Sequence, residues 1–155
     1  MFKTSRISYG GTAAVVTSMA LISGLSAADT TKAAIVSALL IAAVADNLTD
    51  ALSFHIFQES EQLDEKNAFT GTITNFLARL LLCISFVLLV WLFPLAHAST
   101  VAIIWGVLLL TMMTYMVASE RKVKPIPEVV KHLLIAFVVV AASNVTGRWI
   151  GSMFR

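Results

Sequence analysis

Apolar runs of membrane-crossing length take up most of this chain, and they restrict its fold more than any other feature. About 20 mostly apolar residues are needed to cross a hydrocarbon core about 30 Å thick. Five segments meet that need, at roughly 9–25, 32–57, 72–95, 100–118 and 128–151. Hydrophobic residues are 58% of the 155 and charged residues only 13%, so a soluble domain would lack its polar shell. The expectation is an all-α membrane protein, one five-helix transmembrane domain over 1–155. The links between runs are short and leave no room for a second domain. Pro94 and Pro125/Pro127 fall at span ends, where helix breakers belong. The short stretch LAHAS, 95–99, predicts an antiparallel hairpin of the third and fourth helices.

Loop charges orient the bundle. Lys3, Arg6, Lys66, Arg121, Lys122, Lys124 and Lys131 fall on one side, against Lys32, Arg148 and Arg155 on the other. The positive-inside rule then places the N-terminus in the cytoplasm and the C-terminus outside. A bacterial or archaeal inner membrane is the expected location. Residues 1–28 also fit a secretory signal, with Lys3 and Arg6 ahead of an apolar stretch and small residues before Asp29. Against that reading, Thr17, Ser18, Ser23 and Gly24 interrupt the stretch.

The net charge of +2, without a basic block, gives no reason to expect nucleic acid as a partner. Cys83 is the one cysteine, which excludes a disulfide framework. There is no CxxC, HExxH, GxSxG or phosphate-cradling glycine loop, so neither enzyme chemistry nor a cofactor is expected.

The polar residues within the spans carry the functional expectation, because ionisable groups in a bilayer are costly and mark pathways or buried pairs. Asp46 and Asp50 are four apart and share a helix face with Ser53 and Phe57. Asn47 and Gln58 border that stripe. Carboxylate and carbonyl oxygens suit hard divalent cations, so Asp46, Asp50, Asn47 and Asn75 are the candidate metal ligands. The same carboxylates can instead neutralise Arg79 on the third span, and the two readings are compatible. His55 and Glu59 lie on nearly the opposite face, as pathway residues or as an interfacial hydrogen bond. Met112, Met113 and Met116 are either soft ligands or filler. His97 and His132 are placed near span ends, and Glu61, Asp64 and Glu65 in a solvated linker. Asn144 and Thr146 are expected to hydrogen-bond across helices, and Gly147 with Gly151 to permit close helix approach.

Three stretches resemble the vacuolar iron transporter family, which exchanges divalent iron or manganese for protons. They are YGGTAAVVTSMALISGL at 9–25, DALS at 50–53 with SE at 60–61, and TGRWIG at 146–151. The resemblance implies a dimer, with the path between the first helices and the small residues at 10–14 and 18–24 facing the twofold axis. It matches Asp50 to a family aspartate. Where the family has an aspartate, a methionine and a glutamate on the metal path, this chain has Ala13, Phe54 and Gln58. Only about Glu59 to Phe69 stands where some members carry a long Glu-rich insert. The expected function is divalent cation transport by proton exchange; the alternative is a non-transporting scaffold or partner subunit.

Overall fold

Each apolar run becomes one α-helix in the computed structural model, which describes residues 4–60 and 65–154. The helices are α1 (Thr4–Ala27), α2 (Lys32–Ser60), α3 (Glu65–Leu92), α4 (Leu95–Glu120) and α5 (Pro125–Met153). At about 1.5 Å per residue each reaches roughly 36–44 Å, more than a hydrocarbon core. All five are long and apolar enough to cross a membrane.

Prolines set two of the boundaries. The apolar pattern predicts a third span that runs through Pro94 and a fourth that begins at Thr100. The structure instead ends α3 at Leu92 and begins α4 at Leu95, with Pro94 as its N-cap. Residues 95–99 are therefore the opening turns of α4 rather than a link. Proline removes an N–H donor, which interrupts the helix before it. Its carbonyl is free to start the next one, accepting from the N–H groups of His97 and Ala98. Pro125 opens α5 at a position where a missing N–H costs nothing. The turns after α1 and α4 close alike. Asp29 and Lys122 both take φ 56°, and the next N–H reaches back to Leu25 O (3.2 Å) and Ala118 O (3.0 Å).

α1 lies at the centre and packs against all four other helices. It carries Val15, Met19 and Ile22 into the main core, beside Leu39, Phe86 and Leu110. α2 and α3 make the most extensive contact, whereas α3 and α4 touch little despite their two-residue link. The buried positions recur every fourth residue, as packed helix ridges require. They are Ile35, Leu39, Ala43, Asn47 and Ala51 on α2, Gly71, Asn75, Arg79 and Cys83 on α3, and Ala98, Ala102, Gly106 and Leu110 on α4.

Small residues bring α5 onto α1. Gly147 lies directly on the backbone carbonyl of Gly24, and Gly151 faces Ala28. Ser143 Oγ donates to Ala20 O (2.7 Å) and Asn144 Nδ2 to Ser23 Oγ (3.2 Å). Asn144 thus joins two helices as expected. Thr146 does not, because its hydroxyl donates to Ala142 O in its own helix. Much of the remaining surface is apolar: Leu48, Leu52, Leu81, Leu108, Phe137, Val138 and Trp149 are all exposed. Contiguous apolar surface on this scale belongs in lipid, and the chain is an integral membrane protein by that criterion.

Candidate functional site

The ridges of α2 and α3 carry their polar residues into one cluster. Arg79 is 4% exposed, and a buried guanidinium requires partners. Its Nη2 lies 2.5 Å from Asp50 Oδ2, and its Nε donates to Asn47 Oδ1 at 2.8 Å. Asn47 Nδ2 and Ser18 Oγ both donate to Cys83 Sγ, each at 3.9 Å. Polar contacts thus run from α1 through Cys83 and Asn47 to Arg79 and Asp50. The Asp50 side chain is 47% exposed, so one end of this chain is open and the other is sealed. Charge-assisted bonds of this kind are the stronger class, and here they span the α2–α3 interface.

Asn75 lies one turn before Arg79 and is fully buried, yet its Oδ1 has no hydrogen-bond partner. The amide packs against Gly10 of α1, where a Cβ would collide with Asn75 Oδ1 and with the Arg79 side chain. Gly10→Ala should therefore push α1 from the cluster and cost about 1–3 kcal/mol in thermal unfolding. An unchanged melting temperature would show that the two side chains give way freely.

A cavity of about 330 Å³ opens beside the ion pair. Ala13 of α1, Asp50, Ser53, Phe54 and Phe57 of α2, and Asn75 and Arg79 of α3 line it. Asp50, Ser53 and Phe57 share a face, as their spacing predicts. The sequence-predicted residues Asp50, Asn47, Asn75 and Arg79 all meet here. Asn47 has both ends of its amide engaged, so it bridges Arg79 and Cys83 rather than standing open as a metal ligand. Asp46 is exposed one turn away, outside the cavity lining, and forms no hydrogen bond or ion pair with the described residues. His55 and Glu59 stay on the other side of α2, 3.4 Å apart.

Among the described residues no three His, Cys, Asp or Glu side chains converge on a common point. Met113 is buried against Gly11, whereas Met112 and Met116 are exposed, which places them as packing and surface residues. His97 and His132 are exposed near helix ends. Glu61 and Asp64 lie outside the described residues. Gly10, Gly11, Ala14, Ser18, Ser23 and Gly24 are buried by helices of their own chain; on that helix Ala13 and Thr17 remain exposed.

The sequence does not mark Ser18, Cys83 or Gly10 as members of the polar cluster. The four-residue spacing Gly71–Asn75–Arg79–Cys83 was the available signal for Cys83. Nothing local marks Ser18 or Gly10, whose roles depend on which helix faces them. Comparison with family models, with curated proteins and with solved structures finds no match.

Proposed function

We propose that the protein is an integral membrane transporter that exchanges divalent metal cations, of the iron or manganese class, for protons. The observation that supports this reading is the half-exposed Asp50 carboxylate at a cavity inside an apolar bundle, held by a buried guanidinium. Asp50 has one negative charge and two claimants. An arriving cation must displace Arg79, and so must a proton, because neutralising the carboxylate removes its attraction for the arginine. Cation and proton therefore exclude each other at one oxygen pair, which is the requirement for exchange. Asn47 anchors Arg79 through Nε, so the guanidinium can release Asp50 without leaving its pocket. The carboxylate, the Ser53 hydroxyl and the Asn75 amide are the hard oxygen donors around the cavity.

Asp46 fits the same proposal through a homodimer. An exposed carboxylate at that depth needs water or protein beside it. A second copy supplies both cover and a doubled set of carboxylates around one axis.

Metal uptake into proteoliposomes, measured for manganese, iron, cobalt and zinc with an internal pH dye, tests the proposal. Asp50→Asn should lower both metal entry and the matching proton signal at least about tenfold, at equal folded protein. Undiminished flux in that variant would remove Asp50 from any transport path. The competing reading, a non-transporting scaffold, draws on the same pair, because Arg79 already satisfies Asp50. It predicts no flux above empty liposomes for the wild type.

A further inference from the structure

The turn between α4 and α5 gathers cations at the edge of the bilayer. Arg121, Lys122 and Lys124 follow closely in sequence and are all exposed. Their side chains form no ion pair with the described residues. Glu128, the first acid on α5, is already taken by Lys131 at 2.9 Å. Glu120 is the other acid beside the turn in sequence, so a positive surplus remains. α4 is 26 residues long, about 39 Å, which carries its last turn past the hydrocarbon core to the headgroups. Val123 and Ile126 stand among these cations at 40% and 73% exposure. They continue the exposed apolar flanks of both helices. Apolar side chains alternating with cations suit the level where acyl chains end and phosphates begin. Lys122 adds an independent sign. It takes φ 56°, a conformation for which glycine is the default at a helix end. Asp29 holds the same place after α1, and a short polar side chain tolerates it. A lysine gains nothing there for the backbone, so the fold does not account for its charge.

We propose that the α4–α5 turn is a binding site for an anionic phospholipid, with Arg121, Lys122 and Lys124 on the headgroup phosphate and Val123 and Ile126 against the acyl chains. Charge complementarity selects the headgroup. Continuity with the exposed apolar surface of α4 and α5 selects a lipid over a free phosphate. The site does not rest on the transport proposal: it needs only a bundle seated in a bilayer, and its test reads lipid retention rather than flux.

Native mass spectrometry of the full chain, released from micelles holding equal amounts of phosphatidylglycerol and phosphatidylcholine, measures the ratio of the two retained lipids. Wild type should favour phosphatidylglycerol at least about tenfold, since each cation near the headgroups contributes about fivefold. Arg121→Gln/Lys122→Gln/Lys124→Gln should bring the ratio close to unity. Arg148→Gln, which removes an exposed cation at the far end of α5, should leave it unchanged. Lys122→Gly separates the charge from the fold. Glycine suits φ 56°, so the melting temperature should hold or rise while the ratio falls about fivefold. A ratio retained in the triple variant, or lost equally in Arg148→Gln, overturns the proposal. If the triple variant fails to fold, Lys122→Gly decides alone. Glycerol phosphate at the concentration of the lipid should not displace it; displacement would make the turn a reader of free phosphate and overturn the lipid assignment. A wild type without lipid preference whose dimerisation the triple variant abolishes would also overturn it, and would pair these cations with the acidic end of α2 in a second copy.

Discussion

Gly147→Leu is expected to leave little correctly folded protein. A Cβ at this position runs into the backbone carbonyl of Gly24, and a backbone atom in the middle of a packed helix cannot move aside as a side-chain tip can. α5 would have to lift from α1, breaking the Ser143–Ala20 and Asn144–Ser23 bonds that hold the two helices together. Overpacking against an unyielding wall costs about 3 kcal/mol or more. That is a large share of a total stability of about 5–15 kcal/mol. The readout is the loss of the monodisperse peak in size-exclusion chromatography, or a melting temperature lower by at least roughly 6–12 °C. Gly151→Ala supplies the contrast. Its Cβ would sit 3.2 Å from Ala28 Cα, a contact a small adjustment relieves, so the expected cost is under about 1 kcal/mol. Equal behaviour of the two variants would mean that α5 is not seated on α1 at this point.

Asp50→Asn should have the second largest effect, and its signature is rescue. Removing the carboxylate strands a guanidinium that is 4% exposed, with Asn47 as its remaining partner. Breaking a fully buried pair costs about 3–5 kcal/mol. Asp50 is half exposed, and water can reach the gap it leaves, so about 2 kcal/mol is expected, or roughly 4–8 °C. Asp50→Asn combined with Arg79→Gln should recover at least about half of that loss. The glutamine carries no charge to strand and can still donate to Asn47. A double variant that is less stable than Asp50→Asn would show that Arg79 holds the interface through its packing rather than through its charge.

The Asp50–Arg79 contact illustrates what could be read in advance. Both residues stood out because charges within apolar runs are rare, and each needs an opposite charge. The pairing itself was one of two open readings. Asp46 stood out just as strongly and turned out to be exposed, because a turn along α2 takes it past the cavity. By residue type Asn47 and Asn75 are candidate neutral ligands. In the structure Asn47 bridges a guanidinium and a thiol, and Asn75 lines the cavity, buried against a glycine with its oxygen unpaired. Cys83 looked like an ordinary apolar-run residue and sits at the junction of two donors.

Helix number, approximate length and the place of each turn follow from local causes. Run length is measured against membrane thickness, and proline removes a donor wherever it stands. Pro94 shifted one boundary by several residues without changing that count. The arrangement of the helices has no such local cause. In a soluble protein the apolar face of a helix points to the core and the polar face to water. Here lipid is as apolar as the interior, so almost every face of α4 and α5 reads alike. That α1 takes the centre, that α3 packs on α2 rather than on its hairpin neighbour, and that Gly24 meets Gly147 are decided by which ridges of small and polar residues fit together across the bundle.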